Sequence, residues 1–378
     1  MDVVDIASLT KSALLASFIA TFILGATMQK TGFCSMGAVS DIFIMNSWDR
    51  LKQWFLAIGV AIIGFAVMSY IGLIDPLTSF YTGNKFLWLS TIIGSILFGF
   101  GMVLASGCGS KTLIRIGGGN LKSVIVFLAL GLSAYMTIRG FLGVIRINTL
   151  DSVFINLNTP QDLPSLLSAS TGMMRSSLHL VLGLVIGSAF IIFALAKKAF
   201  WTAENFFAGI TVGLIICSIW AISGHFAFVA EDPNTLEEVF LATNSGKMES
   251  LSFVAPYAYF LDWLMMYSDT SKVLTIGVVA VMGMISGSAV VALLTKSFRW
   301  ETFRNPEDTA NHLIGGALMG FGGVTALGCT VGQGLSGLST LALSSFIALP
   351  GFIFGAYLAY AICNIDLLRT PAVNRFHR

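Results

Sequence analysis

The chain has 378 residues, of which 56% are hydrophobic and 11% charged, with a mean hydropathy of +0.84. Soluble domains carry roughly a quarter charged residues, so the composition excludes a soluble globular protein and implies an integral protein of the lipid bilayer. A net charge of +2 without a basic run excludes nucleic acid as a partner, and five cysteines with no CxxC pair suggest neither a disulfide framework nor a zinc ribbon.

The first ten residues hold Asp2 and Asp5 rather than a positive n-region. No cleavable signal peptide is expected, and the apolar run Ala13–Met28 should remain as a span. A spanning helix needs about 20 mostly apolar residues. Nine stretches qualify: 11–29, 54–74, 86–105, 121–142, 178–197, 206–224, 273–295, 311–327 and 340–362. The expected fold is therefore all-α, with about nine transmembrane helices. Three further segments, 30–46, 106–119 and 328–337, are too polar to span and too apolar for solvated loops. They read as re-entrant half-helices. Irregular backbone at membrane depth survives only inside protein or beside a water-filled cavity, so the three should meet in the interior.

Two longer connections remain. Residues 147–177 carry Pro160 and Pro164 and read as an extramembrane link. Residues 225–271 hold the acidic run Glu231, Asp232, Glu237 and Glu238, then an aromatic stretch through Trp263. They read as an insertion with a short interfacial helix. With nine spans, 14 of the 21 Lys and Arg residues fall on one side, which makes that side cytoplasmic. The N-terminus and the acidic insertion are then outside and the C-terminus inside.

One ten-residue stretch is written twice, as Gly99–Cys108 (GFGMVLASGC) and Gly320–Cys329 (GFGGVTALGC), with seven identities at a constant offset of 221. Paired breaks in corresponding positions of two halves point to a transporter's midplane site. The third and eighth spans run in opposite directions, so an inverted repeat is expected between spans 1–4 and 6–9. The organisation is a first half (1–146) with the Cys34 and Cys108 breaks, a link and connector span (147–205), and a second half (206–378) with the insertion and the Cys329 break. In this scheme Gly32-Phe33-Cys34 matches Gly224-His225-Phe226 at the start of the insertion.

The candidate path residues follow from the breaks. Gly107, Gly109 and Gly328 let the backbone turn or another group approach Cys108 and Cys329. Half-helix N-termini favour an anion. Thiols at Cys34, Cys108 and Cys329 offer weak, polarisable contacts that suit a soft anionic sulfur or selenium atom. Weak binding also suits conduction, since a path must release what it holds. Thr330, Gln333, Ser110 and Thr112 could donate to the anion or bond between helices. Lys111 and Lys30 could attract it or mark topology. Asp41 reads as a cap or a partner of Lys30, His225 and His312 as interfacial residues, and Cys217 and Cys363 as packing. No cofactor or metal is expected.

On KTGFCSMGAVSD (Lys30–Asp41), GFGMVLASGCG (Gly99–Gly109) and HLIGGALMGFGGVTALGCTVGQGLSG (His312–Gly337), the chain resembles the YeeE/YedE sulphur-transport family of bacterial membrane proteins. The resemblance implies an inner-membrane importer of thiosulfate or a related sulfur species, with selenium roles in some members. It implies pathway cysteines at Cys34, Cys108 and Cys329 in an hourglass-like path, and a small cytosolic sulfur-carrier or rhodanese-like partner. It does not cover the insertion. Two other classes compete with a permease. A membrane thiol-disulfide oxidoreductase would generally need a vicinal dithiol, which is absent, and a soft-metal permease would need a His or Met cluster beside the cysteines.

Overall fold

The computed structural model describes residues 6–232, 236–303 and 305–362. Cys363, Arg304 and Arg369, along with Asp2, Asp5 and the chain's last residues, lie outside the described residues. The fold is a helical bundle. In chain order its helices are α1 (Ile6–Thr31), α2 (Ser35–Met45), α3 (Asp49–Tyr70), α4 (Trp88–Leu104), α5 (Gly109–Gly117), α6 (Leu121–Arg139) and α7 (Phe141–Thr149). They continue with α8 (Leu163–Thr171), α9 (Arg175–Leu195), α10 (Ala203–Ala221), α11 (Ala255–Met265), α12 (Ile276–Leu294), α13 (Pro306–Thr325) and α14 (Leu343–Ile362). Among the described residues, strand structure is confined to two short antiparallel ribbons, Lys85–Phe86 with Ile155–Asn156 and Phe228–Val229 with Val239–Phe240.

Among the described residues, eight helical segments are long and apolar enough to cross a membrane. Helix α13, the eighth of the nine spans expected from the sequence, is 20 residues long but opens with Glu307 and Asp308. It is held between α4 and α6, where protein takes the place of lipid and lipid-level hydropathy is not required. Its inner face is small: Gly315, Gly316, Gly320, Gly322 and Gly323 are all buried. Small residues let helix backbones approach closely in membranes, where packing rather than water exclusion drives association.

The α4–α13 contact is reciprocal. A side chain at Gly94 would meet the Gly322 carbonyl and the Ala326 nitrogen, and one at Gly315 would meet the Gly101 carbonyl and the Ala105 nitrogen. Each residue of the first set lies 221 positions from its counterpart in the second. Around this pair, α14 packs on α4 as α6 packs on α13, and α1 packs on α12 as α10 packs on α3.

Two faces of the bundle can be told apart by their loops. On one, the insertion meets the start of α12, where the Ile276 N–H donates to the Ala242 carbonyl at 2.8 Å. Residues 161–163 pair there with 341–343. On the other face, the loop after α5 pairs with the loop after α12 through Asn120 and Glu301, and Lys122 meets Asp308 at 2.6 Å.

Candidate functional site: three cysteine-headed breaks

All three expected breaks occur, and they share one plan. A residue in the left-handed region stands two positions before each cysteine: Gly32 (φ 65°), Ser106 (φ 54°) and Leu327 (φ 60°). At the ends of α4 and α13 the same pair of bonds closes the last turn. Gly107 N–H donates to Met102 and Ser106 N–H to Val103, at 2.9 and 3.0 Å. Gly328 N–H donates to Gly323 and Leu327 N–H to Val324, at 2.8 and 3.1 Å. This is the six-to-one and five-to-two pattern that terminates helices at a left-handed residue. The turn itself is thus made at Ser106 and Leu327, one residue earlier than the glycines to which the sequence pointed.

Each cysteine then heads the next segment. Cys34 adopts extended backbone (φ −162°, ψ 123°) as the N-cap of α2, and its sulfur accepts from the Gly37 N–H at 3.3 Å. Cys108 is the N-cap of α5, with its carbonyl accepting from Thr112 N–H at 3.0 Å. The Cys329 carbonyl accepts from Gln333 N–H at 2.7 Å, and its sulfur from Gly332 N–H at 3.4 Å, where a π-turn, Gly332–Gly337, begins. At Cys34 and Cys329 sulfur fills the place that an oxygen usually takes at an N-cap.

The three segments converge. Cys34 and Cys108 lie close together. Ser35 Oγ reaches Cys108 Sγ at 3.3 Å and Thr330 Oγ1 at 2.7 Å, so it joins the second break to the residue after Cys329. Ser110 Oγ lies 3.3 Å from Cys108 Sγ. Cys108 and Cys329 are fully buried and Cys34 is 6% exposed. Helix α5 leads from Cys108 to the face of Asn120 and Glu301, and the segment after Cys329 leads to the face where 341–343 pair with 161–163. The two breaks therefore open toward opposite faces.

The other expected residues divide. Thr330 is in the cluster through Ser35. Lys111 stands close enough to Cys34 to act on it electrostatically. Gly109 is where the insertion touches α5: a side chain there would strike the Phe253 carbonyl, and its own carbonyl accepts from Tyr257 Oη at 2.5 Å. Gly107 meets only the Lys111 side-chain stem. Gln333 bonds within the protein, with Nε2 donating to the Ala326 carbonyl at 2.6 Å and Oε1 accepting from Ser345 Oγ at 2.5 Å. These bonds tie the third break to α13 and α14. Asp41 pairs with Arg50 at 3.4 Å, not with Lys30. Cys217 packs against the Val60 and Ala61 carbonyls of α3, in keeping with a filler role.

The insertion had been expected at the interface, but it enters the core. Phe253 is fully buried and its N–H donates to Cys329 Sγ at 3.3 Å. Helix α11 follows, packed on α6 and α12 as α2 packs on α3 and α14. The run FVAPYAYF (253–260) carried the available signal, since, like the segment around Cys34, it is too short to span and too apolar for a loop. Under the same insertion lies a cavity of about 240 Å³, whose wall includes Tyr81, Arg146, Glu249, Ser252, Leu327 and Gly328. It ends against the two residues that precede Cys329.

The chain is similar in sequence to known transport proteins. A family model described as sulphur transport matches residues 30–358. The chain is 27% identical over 367 residues to the thiosulfate transporter TsuA of Escherichia coli (strain K12), covering 92% of this chain and 94% of that protein. It is 26% identical over 350 residues to the thiosulfate transporter TsuA of Spirochaeta thermophila, covering 88% and 94%. A shorter match, 30% over 94 residues, reaches the probable transporter YedE of Escherichia coli. With most of its length matched, this chain belongs to the sulphur-transport family, a family of transporters and not of enzymes.

Proposed function

We propose that this protein imports thiosulfate, or a closely related sulfur or selenium anion, along a path that passes Cys329, Cys108 and Cys34. The observation that carries the reading is Ser35, whose hydroxyl lies within reach of both Cys108 Sγ and Thr330 Oγ1. It leaves one short polar step between breaks that open toward opposite faces. The full-length match to two proteins named thiosulfate transporters supports the substrate class.

The physical basis is a succession of weak contacts. A dianion in bare hydrocarbon would cost tens of kcal/mol. Here it would meet hydroxyls, thiols and the N–H groups at segment starts. Each is replaceable by the next, so the anion is never bound tightly enough to stall. The excess of basic residues on the face of Asn120 and Lys122 supports a cytoplasmic side there, with the insertion outside, in a bacterial inner membrane. A small cytosolic sulfur-carrier or rhodanese-like protein would receive the product on that side.

The same reading includes an inverted repeat about an axis between α4 and α13. The reciprocal Gly94 and Gly315 contacts support it. In that arrangement α2 corresponds to α11, so the counterpart of Gly32-Phe33-Cys34 is Ser252-Phe253-Val254. It is not Gly224-His225-Phe226, which forms a π-turn at the end of α10. The contact between Cys34 and Cys108 is one a dithiol enzyme would need, and the family assignment decides against that chemistry. The deciding experiment is uptake of labelled thiosulfate, against sulfite and selenite, in cells lacking other sulfur importers. Saturable thiosulfate uptake that disappears in Cys108→Ala and Cys329→Ala is expected. No transport of any of the three would overturn the function.

A further inference from the structure

The cavity beneath the insertion holds two ionisable side chains, one basic and one acidic, that the cysteine path does not explain. Arg146 comes from α7, and its Nε lies 3.0 Å from Asp151 Oδ2. Asp151 is itself held by Ser90 Oγ at 2.6 Å. The guanidinium is thus braced from behind while lining the cavity. Glu249 comes from the insertion. Its Oε2 accepts from Ser245 Oγ at 2.8 Å and its Oε1 from the Asn244 N–H at 3.3 Å. Among the described residues, the only other titratable groups in the wall are Tyr81 and Tyr259, whose phenols burial keeps protonated. Burial also pushes the Glu249 carboxyl up from its ordinary value, and the Ser245 and Asn244 donors offset this only in part.

We propose that this cavity is an outer binding site for a small divalent oxyanion, held by Arg146 and admitted only when Glu249 is neutral. It rests on the transport reading above and adds the step before Cys329. The volume accommodates a small oxyanion and a few waters, each water taking roughly 30 Å³. With Asp151 balancing Arg146, an ionised Glu249 would leave the cavity negative and repel a dianion. A protonated Glu249 instead offers its O–H as a donor, and no proton is transferred to the ligand. Thiosulfate is a dianion throughout the neutral range, so a pH effect in that range belongs to the protein. Raising the pH ionises Glu249 and weakens binding, and lowering it restores the neutral form.

The test uses the full-length protein in proteoliposomes and measures the concentration dependence of labelled thiosulfate uptake from the ordinary glutamate value, about pH 4.5, up to about pH 8.5. The wild type should show a KM that rises with external pH at nearly constant maximal rate. Glu249→Gln, an isosteric mimic of the neutral acid, should show a low KM that no longer changes with pH. Arg146→Gln should raise KM at every pH, and Arg146→Lys, which keeps the charge, should recover most of the affinity. A wild-type slope retained in Glu249→Gln overturns the proposal, as does an unchanged KM in Arg146→Gln or an Arg146→Lys as weak as Arg146→Gln. Cys329→Ala, measured alongside, separates the two levels. If it transports normally, the cysteine path fails. If it is inactive while Glu249→Gln keeps the wild-type slope, only the outer site fails.

Discussion

Ser35 and Thr330 stand 295 residues apart in sequence, yet their hydroxyls meet at 2.7 Å in the buried centre of the bundle. This one bond joins the start of α2 to the segment that begins at Cys329. Replacing Ser35 by Ala leaves Thr330 and Cys108 short of a partner in a buried site, which typically costs about 1–3 kcal/mol. Thermal unfolding in detergent should register that loss, and thiosulfate uptake should fall with it. A Ser35→Ala protein with unchanged melting and uptake would remove Ser35 from the path.

The cysteines should separate into two groups. Cys34→Ala, Cys108→Ala and Cys329→Ala should each lower uptake by at least about tenfold, equivalent to about 1.4 kcal/mol in the barrier, with normal amounts of protein in the membrane. Cys217→Ala should transport within about twofold of wild type, since its sulfur packs against α3. Uptake normalised to membrane protein distinguishes the groups.

Gly107 and Gly109 flank the same cysteine and should respond differently to alanine. At Gly109 the added methyl would strike the Phe253 carbonyl, a rigid backbone atom, and overpacking of this kind costs about 1–3 kcal/mol. At Gly107 it would meet only the Lys111 stem, which can move aside, so the cost should stay below about 1 kcal/mol. Melting temperatures of the two variants check the order. Equal losses would mean that the insertion does not rest on α5 as described.

Gln333 offers a way to tell bracing from binding. Gln333→Ala removes a donor from the Ala326 carbonyl and an acceptor from Ser345, so stability should fall by about 1–3 kcal/mol. KM for thiosulfate should stay near the wild-type value in the fraction that folds. A raised KM at unchanged stability would instead make Gln333 a substrate ligand.

Glu249 also links pH to stability. Its folded-state pKa is raised by burial, so between the ordinary and the raised value the native state binds more protons than the unfolded state. Stability then falls as pH rises through that window. Relative to wild type, Glu249→Gln should lose this component of the slope. Melting curves at a series of pH values test it, and a wild-type protein that gains stability across the window would contradict the sign.

Much of this molecule was legible before any coordinates. Hydropathy located the spans, because a bilayer demands long apolar runs wherever the chain crosses it. The duplicated Gly-Cys stretch located two of the breaks, because a helix that ends at membrane depth needs a left-handed residue and small neighbours to turn. The segment around Cys34 was visible as too polar to span. Less visible was the residue making each turn, since Ser106 and Leu327 carry no glycine signature. The role of Gln333 was also hidden, because an amide five residues into a polar run can face a ligand or a backbone equally well.

Alone, the sequence determined an all-α membrane transporter with three interrupted segments and cysteines at their heads, because helix length, hydropathy and turn chemistry are properties of neighbouring residues. Only the tertiary structure decided that Phe253 donates to Cys329, that Ser35 connects two breaks, and that Arg146 and Glu249 share a cavity. Those relationships depend on which distant segments the close helix packing brings face to face, and packing partners leave no periodic trace along the chain.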